Sequence, residues 1–335
     1  MFTCVRRARG PRAMSELVSG YFREDISGAS VIYRDKEEFD RKYSAMIRGG
    51  REKLQVISDF DFTLTKYYQA DGESRSASCH MVLEHSEGLL PDTYLAAAKE
   101  LQSYYYPIEQ DPTMDPDVKF QHMEDWVNKH NVLFMECGIT QEIIQTAVIK
   151  AFETGKFRLR EGLVHLMATL HDADVPLLIF SAGITNVLEY ALQRSLSPEA
   201  NELGQRVDPL PDSVNIISNR CLFDETTKEL TGFSKPVLHV YNKSCDAFLE
   251  TNPHFLAANG RSNVLLFGDS LGDIKMSQGL EAGIDTLIRV GFLNDKNKAA
   301  DQLDTYLRQE NYDLVILGDP GLQVQQYLVD SISSR

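Results

Sequence analysis

Four short apolar runs stand out along the chain: LQVIS (54–58), VPLLIFS (175–181), NVLLFG (263–268) and YDLVILG (312–318). Each is rich in Val, Ile, Leu and Phe without polar alternation, and each is closed by Gly, Asp or Ser. Strands covered on both faces read this way, because a parallel sheet carries helices on either side. Between the runs the period changes. In REGLVHLMATLHDAD, Leu163, Leu166, Met167 and Leu170 recur at i, i+3, i+4 and i+7, one apolar stripe of a helix. Strands alternating with such helices predict an α/β fold with a doubly wound, mainly parallel sheet. Ligands in that class bind beyond the carboxyl ends of the strands.

The first gap breaks the rhythm. Residues 59–174 separate the first run from the second, far more than a crossover needs, and most of them read as helix. Pro91-Asp92 precedes TYLAAAKELQSYYY, Asp115-Pro116 precedes DVKFQHMEDWVNKHNVLFMEC, and Thr140 precedes QEIIQTAVIKAF. Asp, Thr and Pro at such points start helices. The pattern predicts a helical cap over residues 70–158, inserted after the first core strand and lying above the active edge of the sheet. Residues 36–69 and 159–335 then form the α/β core, and 1–35 an N-terminal extension expected to be flexible. CLFDETTKELTGF (221–233) reads as a hairpin, and no internal repeat or low-complexity segment is visible.

A formal net charge of −15 disfavours a nucleic-acid or anionic-membrane surface, both of which need basic patches. An anionic substrate would therefore need local positive charge from a metal, a lysine or backbone N–H groups. Cys4, Cys79, Cys137, Cys221 and Cys245 are scattered, odd in number and without a C-x-x-C pair, which reads as reduced thiols in a cytoplasmic protein. No apolar run reaches the ~18 residues of a membrane span. The opening MFTCVRRARGPRAM is basic and acid-free, as transit peptides are, but short and without an amphipathic stretch; Met14 offers a second start. No exposed heptad or interface stripe appears, and a monomer is the expectation.

The runs deliver chemistry at their ends. DFDFT puts Asp59 and Asp61 just past the first; FSAGIT closes the second with Ser181 and the N–H groups of Ala182 and Gly183; VYNKSCDAF puts Lys243 where a short apolar run becomes a helix; GDSLGD supplies Asp269 and Asp273. A lone D-x-D after a strand is as readily a turn decorated with aspartates. A calcium loop would want more Asp or Asn, and a Gly where Phe62 and Thr63 stand. Together, though, the four loops make a bowl suited to Mg²⁺ and a phosphate. Mg²⁺ takes oxygen ligands and keeps waters. N–H donors, a hydroxyl and a lysine neutralise phosphate oxygens, a carboxylate can attack phosphorus, and a second acid two residues on can protonate the leaving alkoxide. Lys235 in GFSKP rivals Lys243 for the lysine's place.

In this order, DFDFT, SAG, the lysine and GDSLGD resemble the four motifs of the haloacid dehalogenase superfamily. SDFDFTL, YYYPIEQDP, FSAGITNVLE, FDET…LTGF…HVYNK, GDSLGD and VGFLND resemble, more narrowly, the cytosolic 5′-nucleotidase III family of pyrimidine and 7-methylguanosine-monophosphate nucleotidases, from about residue 40 to the C-terminus. The resemblance implies a Mg²⁺-dependent 5′-nucleotidase acting on a nucleoside monophosphate, with water as phosphoryl acceptor. It implies Asp59 as nucleophile and Asp61 as proton donor, with Asp59, the Asp61 carbonyl and Asp269 on the metal. Ser181, Ala182 and Lys243 would contact phosphate, Glu109 the base, and Asp273 would hold metal-bound waters. The chain departs from the family in the cap: Val127 follows Trp126 where an aromatic is common, His130 stands in place of a base-contacting serine, and paired cysteines before the cap are reduced to Cys79. The base preference stays open between pyrimidine and 7-methylguanine.

Plainer readings stand beside these. Trp126 and His130, at i and i+4, could sandwich a base or simply pack. Tyr104, Tyr105 and Tyr106 suit packing and a hinge surface, and Glu109 could be a solvated acid in a turn. At the level of function, the rivals are a general small-molecule phosphatase or phosphotransferase with the same core site, and a non-catalytic nucleotide-binding protein. The last should have lost an acid or the lysine, and none is missing.

Overall fold

The computed structural model describes residues 21–85, 88–111, 113–196, 210–244 and 260–334. Its main sheet has eight strands. They are β1 (Phe22–Ile26), β2 (Ala29–Tyr33), β3 (Leu54–Ser58), β4 (Leu177–Ile184), β5 (Val214–Asn219), β8 (Asn263–Gly268), β9 (Thr286–Leu293) and β10 (Leu314–Leu317), in the order β1-β2-β10-β9-β8-β3-β4-β5. All pairs from β10 to β5 are parallel, and the β1–β2 hairpin adds antiparallel at the β10 edge. Two further strands, β6 (Cys221–Phe223) and β7 (Leu230–Phe233), pair as the expected hairpin.

Each of the four apolar runs falls on a strand of this sheet, β4 extending beyond its run to Ile184. β3 and β8 are buried at every position, as strands in the middle of a two-sided layer must be. The chain leaves β3 toward β4 on one side and β8 lies on the other, so the strand ends of β3, β4 and β8 frame the switch-point crevice. The hairpin β1–β2 falls in the stretch expected as an extension. Its register runs from Phe22 opposite Tyr33 to Ile26 opposite Ala29, and Val31, Ile32 and Tyr33 are buried.

Helices cover both faces. α1 (Lys36–Gly49) starts at Asp35, whose carboxylate accepts from the Glu38 N–H, and stops at Gly50 with φ 66°. The stripe Leu163, Leu166, Met167 and Leu170 is the buried face of α6 (Leu163–Asp172).

Between β3 and β4 lie α2 (Cys79–Glu84), α3 (Asp92–Gln110), α4 (Pro116–Glu136) and α5 (Gln141–Glu153). Asp115 caps α4 through the N–H groups of Asp117 and Val118, and Thr140 caps α5 through that of Ile143. The chains entering and leaving this helical stretch are zipped together. Thr65 bridges Leu159, the Lys66 N–H donates to the Arg158 carbonyl (2.8 Å), and the Ala77 N–H donates to that of Lys156 (2.8 Å). α7 (Thr185–Leu196) follows β4 and packs on α5, while α8 (Ala299–Tyr306) and α9 (Gln323–Ser333) complete the core.

Candidate active site

Asp59 continues the β3–β8 pairing one residue past the strand, its N–H donating to the Phe267 carbonyl (2.9 Å). The chain then turns sharply: the Phe60 carbonyl accepts from the N–H groups of Leu64 (2.9 Å) and Thr65 (3.1 Å). Phe62 sits in left-handed backbone at φ 62°, and its N–H donates to the Thr65 hydroxyl (2.7 Å). This turn throws the Asp59 and Asp61 side chains to the crevice rather than along the strand.

Lys243 meets them there. Its ammonium, buried with its whole side chain, donates to Asp59 Oδ1 (2.5 Å) and Asp273 Oδ1 (2.8 Å). Lys235, the rival, is exposed. The helix expected after Lys243 lies outside the described residues, as do Cys4 and Cys245; residues 235–244 are irregular and add no strand to the sheet. Asp273 is spent on structure as well as charge. Its Oδ2 accepts from the N–H groups of Asp269 (3.1 Å) and Ser270 (2.9 Å) and from the Ser270 hydroxyl (2.9 Å), folding the GDSLGD loop around itself. Gly268 is what lets it approach, since a Cβ there would fall 2.5 Å from the Asp273 Cβ.

Carboxylate oxygens of Asp59, Asp269 and Asp273 all lie within 4.8 Å of one another. One lysine does not neutralise three such acids. Burial pushes the Asp59 carboxyl up to about 7 against the pull of Lys243, with Asp273 adding to the rise. Burial, then Asp273 and Asp59, holds Asp269 well above its ordinary value. Lys243 is held firmly protonated, Asp273 and Asp59 outweighing the cost of its burial. A cluster of hard oxygen donors short of positive charge is what a divalent cation fits.

The phosphate-side loop differs from expectation in one respect. Ser181, Ala182 and Gly183 lie within β4, where the register against β5 shifts between Phe180 and Ile184, and not in a turn beyond it. The bulge turns the backbone toward the crevice. The Gly183 N–H donates to the buried Ser181 hydroxyl oxygen (3.0 Å), and the Ala182 carbonyl is held by Asn219 Nδ2 (2.8 Å). Asp61 reaches the same place: its Oδ1 accepts from the Cys79 N–H at the start of α2 (3.0 Å). Burial raises its carboxyl to about 6, with Cys79 opposing. A Cβ on Gly183 would lie 2.9 Å from the Cys79 Cβ and 3.2 Å from Asp61 Oδ2, so only glycine lets the three meet.

The helices above the crevice hold the remaining predicted residues. Glu109, near the end of α3, is half-buried, and its carbonyl accepts from the Tyr241 hydroxyl (3.0 Å), two residues before Lys243. Phe120 of α4 packs edge-on against His239 (4.7 Å between centroids). Trp126 stacks on the buried Tyr105 of α3 (5.7 Å, 12° between planes). The His130 ring sits among Phe134, His80 and Tyr94, with Nε2 3.2 Å from Glu84 Oε1. Trp126 and His130 thus share a helix face but have separate neighbours. Tyr104 and Tyr106 are exposed. Arg160, Asn219 and Cys79, none of them among the predicted site residues, all hold backbone or side chains of the site loops.

A family model described as pyrimidine 5′-nucleotidase (UMPH-1) matches residues 62–333. The chain belongs to the pyrimidine 5′-nucleotidase family. The relatives of this UMPH-1 member include 7-methylguanosine phosphate-specific 5′-nucleotidase A of Xenopus laevis, 33% identical over 91% of this chain and 97% of that protein. A putative cytosolic 5′-nucleotidase 3 of Caenorhabditis elegans is 33% identical over 91% of this chain and 76% of its own length. The solved structure of cytosolic 5′-nucleotidase IIIB bound to cytidine superposes with a TM-score of 0.76 at 28% identity, covering 90% of this chain and 93% of that one. The α/β fold with a doubly wound, mainly parallel sheet that the apolar runs predict is the fold found. Among the described residues, no helix is long and apolar enough to cross a membrane.

Proposed function

We propose that the protein is a cytoplasmic, Mg²⁺-dependent 5′-nucleotidase. It hydrolyses nucleoside 5′-monophosphates, pyrimidine ones such as CMP and UMP and/or 7-methyl-GMP, to nucleoside and phosphate. The observation that carries this reading is the meeting of Asp59 and of Asp269 and Asp273, at the ends of β3 and β8, with Lys243 from the irregular 235–244 segment, in a chain of the nucleotidase family.

Asp59 attacks phosphorus through a carboxylate oxygen; the bond to the 5′-oxygen breaks and an aspartyl-phosphate forms. Asp61 gives its proton to the departing alkoxide, then takes one from the water that releases phosphate and regenerates Asp59. A carboxyl raised to about 6 suits a group that must both give and take a proton near neutrality. Lys243, the Ser181 hydroxyl and the Ala182 N–H bind the transferring oxygens in a loose transition state. Asp59, Asp269 and the Asp61 carbonyl would hold Mg²⁺, which supplies positive charge to the phosphate oxygens; Asp273 shapes that loop and orients Lys243. The helices over residues 70–158 act as a cap that excludes water and selects the base, with Glu109 accepting from the base and Trp126 and His130 lining its approach. The protein acts as a monomer, with no nucleic-acid or membrane partner.

Phosphate release from CMP, UMP, 7-methyl-GMP, AMP and a sugar phosphate, with and without EDTA, tests the reading. Turnover is expected for CMP, UMP or 7-methyl-GMP and is abolished by EDTA. Preference for the sugar phosphate, or indifference to EDTA, contradicts it.

A further inference from the structure

Arg160 is among the most deeply buried large side chains of the molecule, and the mechanism above gives it no part. It stands where the chain returns from the helical stretch to the core, its N–H donating to the Leu64 carbonyl (2.9 Å). Its guanidinium uses all five donors. Nε donates to the Thr63 carbonyl (2.8 Å), and Nη2 to the Phe62 carbonyl (2.8 Å) and Asn294 Oδ1 (2.7 Å). Nη1 donates to the Pro320 carbonyl (2.6 Å) and pairs with Asp319 Oδ1 (2.8 Å). The plane rests over the Phe292 ring, 3.9 Å from its centroid. Burial lowers the group only to about 10, with Asp319 opposing, so it stays a cation.

The choice of acceptors is informative. Two of the five are the carbonyls directly after Asp61, and the rest belong to the loops that follow β9 and β10. Phe62, whose left-handed backbone is unfavourable for a side-chain-bearing residue, has its carbonyl held twice, since Asn294 Nδ2 also donates to it (2.9 Å). Filling that volume for packing alone would not need a buried cation, which is costly to desolvate. A lysine, with three donors on a flexible stem, cannot occupy five acceptors in one plane.

We propose that Arg160 is a positioning residue for proton transfer. By clamping the Phe62–Thr63 backbone to the loops after β9 and β10, it holds the Asp61 carboxyl against the leaving oxygen. This rests on the reading of Asp61 as the proton donor.

The test is leaving-group dependence. An alkoxide needs a proton to depart, whereas p-nitrophenolate does not. Because kcat/KM reports steps only through the first irreversible one, the ratio of kcat/KM for the preferred nucleotide to that for p-nitrophenyl phosphate isolates proton donation. Asp61→Asn is expected to lower that ratio by about 100-fold. Arg160→Lys is expected to lower it about 10-fold or more. A role confined to stability would reduce both substrates alike. A ratio unchanged in Arg160→Lys while Asp61→Asn lowers it overturns the inference alone. An unchanged ratio in Asp61→Asn overturns the proton-donor reading and the inference with it. If circular dichroism shows Arg160→Lys unfolded, Asn294→Ala decides. It removes one Arg160 acceptor and the second donor to Phe62, and is expected to lower the ratio about 3-fold; no change there overturns the inference.

Discussion

At the scale of single residues, the candidate site is a problem of charge and of space. Lys243 lies between two acids it cannot both satisfy and neutralise; Asp273 is saturated by its own loop, while Asp59 is held through Oδ1 by Lys243. Space is settled by glycine. Gly183→Ala would push its Cβ into Cys79 and toward Asp61. Displacing a proton-transfer group by a fraction of an ångström is expected to lower kcat/KM about 10-fold or more, with the fold retained. Steady-state kinetics at wild-type values would show that the contact between Gly183, Cys79 and Asp61 does not matter. The acids and the lysine were legible in the sequence because their chemistry is rare directly after buried apolar runs. Arg160 was not: its acceptors include carbonyls at positions 62, 63 and 320, a proximity created only by the fold. Cys79 was noticed for its partnerless spacing, while its actual work is an N–H given to Asp61.

At the scale of elements, helix starts were readable from Asp115, Thr140 and their neighbours, because a capping side chain meets N–H groups two or three residues away. The buried strands β3, β4, β8 and β10 were readable from unbroken apolar runs. β1 and β5 were not, for they are the two edges of the sheet and carry polar side chains such as Arg23, Glu24, Asn215 and Ser218. β9 was hidden by Thr286 and Arg289 near its start. Contact between the helices above and the loop below runs through Tyr241, whose hydroxyl donates to the Glu109 carbonyl, and through Phe120 against His239. Tyr241→Phe removes a neutral hydrogen bond worth about 1 kcal/mol. If those helices close over the nucleoside, KM for the nucleotide rises about fivefold while kcat changes less. An unchanged KM would mean that this contact does not help hold the closed form.

At the scale of the whole molecule, the parallel sheet gathers acids from β3 and β8 into one cluster whose repulsion opposes folding. Asp59 titrates at about 7 in the folded chain, above its ordinary carboxylate value, so the native state holds protons that the unfolded state has released. Stability from this source is therefore present below about pH 4 and is lost as pH rises toward about 7. A divalent cation bound to the ionised cluster reverses the loss. Adding Mg²⁺ at one fixed concentration, a hundredfold above its Kd at about pH 7.5, is expected to raise Tm by about 5 °C at that pH, and by less at about pH 5.5. Scanning calorimetry against an EDTA control measures both; a Mg²⁺ shift that is absent, or larger at the acid pH, contradicts the cation site. Strand order itself was beyond the sequence, since nothing local tells β8 to lie beside β3 rather than β9.

The central claim is that Asp59 is covalently phosphorylated, and acid-quench trapping tests it most directly. Enzyme mixed with a nucleotide bearing labelled 5′-phosphate is quenched in acid within one turnover, digested and mapped by mass spectrometry. The account predicts label on the peptide containing Asp59, sensitive to base and hydroxylamine as an acyl phosphate is, and absent from Asp59→Asn. Label on another residue, or full turnover by Asp59→Asn, would contradict it.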